Sequence, residues 1–341
     1  MTTSQPDLHL VYTSDANYLF LTAVSACSAF AQASDPTRLA IHVLDCGISD
    51  DAWEAWRADM VRRTGSERFY RHAVDVARFE GLPPWKGSIA TYARLCPPEL
   101  LPDLDWCVYA DGDTLFVDDP LGLTDFFDPS VGLWGWDSDE PSPVRKVIFD
   151  WFEANGLEAD RQNHICSGFM CLNLRWMREH DVTQRCFDFL RAYKDPAYID
   201  ETALNVVCAG HIRLFPKRWG VYALQACTVD RPALIHYISE PLRRLRFNPK
   251  IGYRDTSRLW YGFVRHEFGL TIRQACGISP LNWWLGRAYN RAITFAAAVC
   301  AKLPLLGRLG AVRTIRSHVL RPQNRYLLSP RLWTERWHGE P

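Results

Sequence analysis

The stretch CVYADGDTLFVDDP (residues 107–120) places four aspartates directly after an apolar run that is typical of a buried strand. Two of them, Asp111 and Asp113, are separated only by Gly112. Aspartate and glycine are common in turns, so a solvated turn is one interpretation. A metal site is the other, because two carboxylates this close repel each other unless a cation lies between them.

Strand-like and helix-like segments alternate ahead of this stretch. Strands are predicted at 8–14, 39–45, 69–75 and 106–110, and helices at 18–32, 50–64 and 88–101, the last of them stopped by a proline pair. Such alternation predicts a parallel sheet covered by helices on both faces. Ligands of these sheets bind at the carboxyl ends of the strands, where the DGD triplet lies. No GxGxxG motif follows the first strand, so the phosphate loop of a dinucleotide-binding Rossmann fold is missing.

The remainder of the chain falls into two parts. Residues 131–246 mix short strands with helices, including one predicted helix at 176–194 and a strand at 233–239 that carries His236. From about residue 281 the sequence is helical, basic and aromatic. We therefore predict a first domain over residues 1–250 and a helical extension over 251–341.

Charge is distributed unevenly, although the chain has 39 basic and 39 acidic side chains. Residues 281–341 contain ten Lys/Arg and two Glu, a net charge of +8, which leaves −8 on residues 1–280. Such a tail could bind nucleic acid, pack as a helical subdomain, or lie on an anionic membrane. No nucleic-acid recognition module accompanies it, so we expect a membrane surface and no nucleic acid as its partner.

Cysteine usage indicates the compartment. The eleven cysteines are odd in number and scattered, and none forms a CxxC pair, which predicts reduced thiols in a cytoplasm. The longest apolar stretch, residues 293–307, is too short to span a bilayer and contains Lys302. We expect a cytoplasmic protein that is peripheral on the inner face of the cytoplasmic membrane.

Five ordered segments resemble glycosyltransferase family 8, which includes bacterial lipopolysaccharide galactosyl- and glucosyltransferases. They are SIATYARL, YADGDTLFVDDP, SGFMCLNLRWMRE, DETALNVV and IHY, and the likeness covers about residues 8–245. The resemblance implies a GT-A-type α/β fold, Rossmann-like and with a mixed sheet, in a catalytic domain over residues 1–250. It also implies retaining transfer of a hexose from UDP-galactose or UDP-glucose to a saccharide or glycolipid acceptor, such as a lipopolysaccharide core or another surface glycan.

The metal ligands follow from the same resemblance. Asp111, Asp113 and His236 would chelate Mn²⁺, with Mg²⁺ as the alternative ion, and Gly112 would lie beside the bound donor. Carboxylate and imidazole groups are suitable manganese ligands. The ion would neutralise the leaving diphosphate as a Lewis acid. The alternative for His236 is a half-buried histidine of a strand.

Donor-binding positions are implied as well. Asp15 and Asn17 match nucleoside contacts of the family, although the same residues could simply cap the helix that follows them. Arg94 matches an arginine near the diphosphate, where a guanidinium can pair bidentately with an acid or a phosphate. Ser167 lies in a matched motif. The family's β-phosphate lysine is replaced by Leu242 in this chain, and Arg243 or Arg244, one or two positions further on, could take its place.

The sugar pocket departs from the family in two places. Asp200 and Asp137 match acids of that pocket, but Glu201 stands where bacterial relatives carry glutamine and Cys166 where they carry asparagine. Retaining transfer can use a carboxylate nucleophile, as retaining glycosidases do, or same-face attack. Glu201 is therefore either a covalent nucleophile or an acid at a helix N-terminus. The thiol at position 166 is expected to alter the preference for the donor hexose.

Two functions compete with the transferase. A nucleotide-sugar-binding protein without catalytic activity would keep the metal site and bind a UDP-sugar, but would neither hydrolyse nor transfer it. A Mg²⁺-dependent phosphatase of the haloacid-dehalogenase type also uses two aspartates, but its motif has glycine after the second one and lies in the first strand.

Overall fold

We describe the protein from a computed structural model. It describes residues 7–85, 88–137, 143–158, 160–193, 196–223, 229–237 and 254–275, together with scattered residues between 277 and 299. The chain divides into two compact units, Met1–Gly220 and Val221–Pro341. Arg243 and all residues after 299 lie outside the described residues.

The first unit alternates strands and helices. Its described strands are β1 (Leu8–Ser14), β2 (Leu39–Asp45), β3 (Phe69–Ala73), β4 (Trp106–Ala110), β5 (Thr114–Phe116), β6 (Leu133–Asp137), β7 (Ile165–Asn173) and β8 (Ile212–Leu214). Its described α-helices are α1 (Leu19–Gln32), α2 (Asp50–Thr64), α3 (Pro97–Leu100), α4 (Pro143–Ala154), α5 (Leu174–Glu179), α6 (Val182–Ala192) and α7 (Ile199–Val207). Short 3₁₀ helices lie between them at Pro36–Arg38, Val76–Phe79, Ala90–Leu95 and Pro120–Phe126.

Seven of these strands form one mixed sheet in the order β3-β2-β1-β4-β7-β6-β8. The first four are parallel to one another, β7 is antiparallel to both β4 and β6, and β8 is parallel to β6. The predicted α/β fold with a mixed sheet is confirmed. Because β7 is reversed, its first residues lie at the edge of the sheet where β1, β2 and β4 end.

Helices cover both faces of the sheet, as the fully buried strand β2 requires. On one face, the Tyr12 hydroxyl of β1 lies 3.1 Å from the Ser25 hydroxyl of α1. On the other face, Val11, Tyr109 and Met170 of the sheet belong to one apolar cluster with residues of α6 and α7. The core therefore fixes the carboxyl ends of β1 and β4 between two layers of helix.

Helix α2 has a well-defined start and end. The Ser49 hydroxyl accepts a hydrogen bond from the backbone N–H of Ala52, and acidic residues occupy the first turn. The helix ends at Gly65, whose φ of +69° is a left-handed conformation that glycine adopts without a steric penalty. These local features explain why residues 50–64 were predictable as a helix.

Two helix predictions were wrong. Residues 88–101 contain a 3₁₀ helix (Ala90–Leu95) followed by α3, and the two prolines begin α3 instead of ending a helix. Proline is favoured in the first turn because its missing N–H has no partner there in any case. The predicted helix at 176–194 is divided into α5 and α6 at Asp181, whose φ is +50°.

The second unit contains the parallel strand pair β9 (Val221–Tyr222) and β10 (Leu234–His236), and the helices α8 (Arg254–Phe268) and α9 (Ile272–Ala275). His236 lies opposite Tyr222, and its carbonyl accepts the backbone N–H of Ala223. The described residues between 280 and 299 are all helical. Among the helices described, none combines the length and the apolar character that crossing a bilayer requires.

Three histidines form a hydrogen-bonded row across β1, β2 and β3. His42 Nε2 lies 2.9 Å from His9 Nδ1, and His42 Nδ1 lies 2.9 Å from His72 Nε2. The middle ring is only 6% exposed and stacks on Tyr70. Burial, with the neighbouring His9 and His72, lowers the pKa of His42 to about 2. The middle imidazole of the row is therefore neutral at pH 7.

We expect the wild-type chain to lose about 2 kcal/mol of unfolding free energy between pH 7 and pH 5, relative to a His42→Gln variant. A histidine whose pKa is depressed in the folded state stabilises the fold above its unfolded pKa and loses this contribution as the pH falls. Urea unfolding of both proteins at the two pH values measures the difference, and the contributions of groups that do not contact His42 cancel. Parallel pH profiles for the two proteins would contradict it.

Candidate active site

The DGD triplet begins where β4 ends. The backbone N–H of Asp111 donates to the carbonyl of Gly168 at 2.8 Å, and the Asp111 carbonyl accepts the Thr114 hydroxyl at 2.8 Å. These bonds tie the turn to β7 and to β5. The start of β7 carries Cys166 and Ser167, so the reversed strand brings these two residues to the end of β4.

Gly112 is required by a close approach to helix α1. A Cβ atom at this position would lie 2.9 Å from the hydroxyl oxygen and 3.2 Å from the backbone nitrogen of Thr22. Real side chains almost never tolerate such a contact. The glycine between the two aspartates therefore lets the turn lie directly on the N-terminal part of α1.

Arg94, at the end of the 3₁₀ helix Ala90–Leu95, connects the two sides of the site. One guanidinium nitrogen, Nη2, donates to Asp111 Oδ1 at 2.9 Å. The other, Nη1, donates to the Ser167 hydroxyl at 2.8 Å and lies 3.2 Å from Asp200 Oδ2. The Arg94 and Asp200 side chains are only 13% and 6% exposed. A planar guanidinium is suited to such a bridge, because its donors have a fixed geometry.

Asp200 is held as a hydrogen-bond acceptor at the start of α7. Its Oδ2 accepts the Ser167 hydroxyl at 2.8 Å, and its Oδ1 accepts the hydroxyl of Thr91 at 3.0 Å. Thr91 was not identified from the sequence. A 3₁₀ helix has three residues per turn, so Thr91 and Arg94 lie on the same face, and this spacing could have indicated it.

Glu201, the next residue, is buried beside Asp200. Its Oε2 accepts the backbone N–H of Ser167 at 3.3 Å, and its carboxyl forms a hydrogen bond with the Cys166 side chain. Burial, followed by the neighbouring Asp200, raises the pKa of Glu201 to about 8. The carboxyl is therefore mostly protonated at pH 7. The two sugar-pocket residues that depart from the family pattern, Cys166 and Glu201, are in direct contact with each other.

Asn205 fixes the helix that carries both acids. Its side-chain amide accepts the N–H of Ile165 at 2.9 Å and donates to the carbonyls of Ile165 and Glu201 at 2.9 and 2.8 Å. It therefore joins α7 to the first residue of β7 and holds Glu201 against Cys166. The (i, i+4) spacing from Glu201 places Asn205 on the same helix face.

Two of the three predicted metal ligands, Asp111 and Asp113, lie on the turn after β4, and a carboxylate oxygen of one lies within 4.8 Å of a carboxylate oxygen of the other. The third predicted ligand, His236, is the last residue of β10 in the second unit. Asp113 is 8% exposed and His236 is 4% exposed. Oxygen and imidazole nitrogen ligands of this kind fit a divalent ion such as manganese or magnesium.

Three of the remaining predicted residues, Asp15, Asn17 and Asp137, lie at the ends of other strands. Asp15 follows β1, and its Oδ1 accepts the backbone N–H groups of Asn17 and Tyr18 at 2.9 Å each, so it orders the turn before α1. Asn17 is exposed. Asp137 is the last residue of β6 and lies opposite Ile165, next to the start of β7. Arg243 lies outside the described residues.

The chain matches a known protein family. The sequence model described as Glycosyl transferase family 8 matches residues 9–241, about two thirds of the chain. No curated protein matches the sequence. The matched range contains the DGD triplet, Arg94, the Asp200–Glu201 pair and His236, which agrees with the predicted resemblance and not with a phosphatase.

Solved structures show the same fold. The chain is similar to an active-site mutant of LgtC, with 26% identity, a TM-score of 0.59, and coverage of 70% of this chain and 90% of that one. It is also similar to the galactosyltransferase LgtC in complex with donor and acceptor sugar analogues, with 24% identity, a TM-score of 0.62, and coverage of 82% and 100%. The bifunctional glycosyltransferase WbbM matches at 18% identity and a TM-score of 0.57, over 71% of this chain and 47% of that one. The GT-A-type fold is thereby confirmed.

Proposed function

This chain belongs to glycosyltransferase family 8, and we propose that it is a retaining transferase that moves a hexose from a UDP-sugar to a saccharide acceptor. That it is a glycosyltransferase follows from the family match over residues 9–241. The proposal concerns the donor, the acceptor and the stereochemistry. Its main support is the Arg94 bridge, which joins Asp111 of the DGD triplet to Ser167 and Asp200.

We assign the donor diphosphate to the Asp111 side of this bridge and the transferred sugar to the Asp200 side. Asp111, Asp113 and His236 would hold a divalent ion, Mn²⁺ or Mg²⁺, which supplies Lewis-acid stabilisation of the leaving diphosphate. Arg94 adds a fixed positive charge beside that position. Support for a sugar donor and a sugar acceptor comes from LgtC, which has been crystallised with analogues of both.

The end of β1 is proposed to receive the nucleoside. Asp15 orders the turn that displays the exposed Asn17, and both residues lie at the same sheet edge as the DGD triplet. Asp137 at the end of β6 and Ser167 at the start of β7 would contact the sugar. Arg243 is proposed as a diphosphate contact on the basis of the sequence alone.

Glu201 is proposed to bind the donor sugar as a neutral acid. A covalent nucleophile has to be ionised, whereas burial beside Asp200 keeps the Glu201 carboxyl mostly protonated at pH 7. A protonated carboxyl can donate a hydrogen bond, which an ionised one cannot. Same-face attack, in which the leaving phosphate accepts the acceptor's proton, needs no carboxylate nucleophile and is the route that we propose.

We propose that the C-terminal extension binds an anionic membrane surface, so that the enzyme acts on lipid-linked saccharides at the cytoplasmic face. Among the described residues of this helical region, Trp284 and Phe295 are 65% and 72% exposed, and Leu281 and Val299 are also exposed. The ten basic residues of 281–341 complement anionic headgroups. An apolar face beside basic residues is typical of an interfacial helix.

Mn²⁺-dependent release of UDP from a UDP-hexose tests the transferase assignment. We expect EDTA to abolish it, and Asp111→Asn or His236→Ala to lower the rate by about a hundredfold or more, because each removes a ligand of the ion that stabilises the leaving group. Asp103→Asn, at an exposed aspartate, is the control. Donor binding without turnover in the presence of acceptors would instead indicate a binding protein, and phosphate release from phosphomonoesters a phosphatase.

Replacement of Glu201 distinguishes the two roles of its carboxyl. A Glu201→Gln variant should retain turnover within about tenfold of the wild type at pH 7, because an amide can also donate a hydrogen bond. Mass spectrometry of the wild type, quenched during turnover, should show no glycosyl adduct on Glu201. A trapped adduct at this residue, together with an inactive Gln variant, would establish the covalent route.

Vesicle flotation tests the membrane proposal. The full-length chain should float with vesicles containing phosphatidylglycerol and not with phosphatidylcholine alone, and binding should weaken at high salt. The double variant Trp284→Asp/Phe295→Asp should lose binding. Val147→Asp, which changes an exposed apolar residue of α4, serves as the control. Equal flotation of the double variant and the wild type would reject the proposal.

A further inference from the structure

Tyr109 is a buried residue of β4, the strand that ends at the metal-ligand turn. It lies two positions before Asp111, so the alternation of side chains along an extended chain places both on the same side. Its hydroxyl lies 2.9 Å from Asp111 Oδ1, and the whole residue is 1% exposed. An ionised carboxylate can only accept hydrogen bonds, so the phenol is the donor.

The same oxygen of Asp111 accepts a second donor. Arg94 Nη2 also lies 2.9 Å from Oδ1, and the guanidinium lies over the Tyr109 ring with its central carbon 5.1 Å from the ring centroid. Two donors from different elements therefore fix Oδ1, one from β4 and one from the 3₁₀ helix. The backbone N–H and carbonyl of Asp111 are also hydrogen bonded, to Gly168 and Thr114.

Packing alone does not require the hydroxyl of Tyr109. A phenylalanine could fill the same space and could also lie beneath the guanidinium. Only the O–H group adds a directional bond to the carboxylate. Bonds of this kind to a ligating carboxylate orient it and reduce the number of conformations that it loses when the ion binds.

We propose that Tyr109 is a positioning residue for the metal ligand Asp111, and that its hydroxyl sets the carboxylate in its binding orientation before the ion arrives. This inference rests on the proposed function, in which Asp111 binds the divalent ion. It adds a residue that acts through Asp111 and is not itself one of the proposed ligands of the ion.

Mn²⁺ titration of the full-length chain, without donor or acceptor, tests the proposal. Free Mn²⁺ is followed by electron paramagnetic resonance, so the readout does not depend on activity. Tyr109→Phe should raise the dissociation constant for Mn²⁺ by about tenfold. This is the effect expected when a metal ligand loses a hydrogen bond from a residue outside the coordination shell. The matched control is Tyr12→Phe, which removes a buried hydroxyl of β1 that bonds to Ser25 on the other face of the sheet.

The outcomes separate the two proposals. If the wild type binds Mn²⁺ and Asp111→Asn does not, the metal site is established, and equal affinities of Tyr109→Phe and wild type would overturn the role of Tyr109. If the wild type does not bind Mn²⁺, the proposed metal site itself fails. Should Tyr109→Phe be less stable, the increase in its melting temperature with Mn²⁺ gives the affinity of the folded fraction.

Discussion

The site depends on one largely buried guanidinium. Arg94 donates to Asp111 and to Ser167 and lies 3.2 Å from Asp200, so a single side chain aligns residues from β4, β7 and α7. Burial of such charges is costly unless each is paired and hydrogen bonded, and removing one partner typically costs about 3–5 kcal/mol. The short 3₁₀ helix that carries Arg94 is consequently part of the proposed active site.

The fold makes this bridge possible because one strand of the sheet is reversed. In a fully parallel sheet the strand beside β4 would begin at the opposite edge, and Cys166 and Ser167 would lie far from the DGD triplet. The antiparallel pairing of β4 with β7 places them next to Asp111. Asn205 then fixes the helix α7 to the start of β7, so the positions of Asp200 and Glu201 follow from the same strand.

Much of the central sheet could be predicted from the sequence, because residues 8–14, 39–45 and 106–110 are short apolar runs bounded by turn residues. The segment 88–101 could not, since an apolar periodicity does not distinguish a 3₁₀ helix from an α-helix. Asp111 and Asp113 stood out by their spacing. Tyr109 did not, because a tyrosine in a strand is an ordinary core residue until its partner is known, and for Thr91 the only signal was its spacing of three residues from Arg94.

Two adjacent carboxyl groups in a poorly solvated pocket cannot both carry a charge without cost. Asp200 accepts hydrogen bonds from Thr91 and Ser167 and lies beside the Arg94 guanidinium. Glu201 accepts only a longer bond from the Ser167 N–H and one from the Cys166 thiol, a weak donor. The proton therefore resides on Glu201, as its raised pKa indicates.

In many active sites, two neighbouring carboxyl groups take different roles because their surroundings shift their pKa values apart. In this pocket, the acid at position 201 differs from an amide mainly in its ability to lose that proton above about pH 8. We therefore expect Glu201 to give the proposed transfer a pH dependence, and not to supply a charge at pH 7.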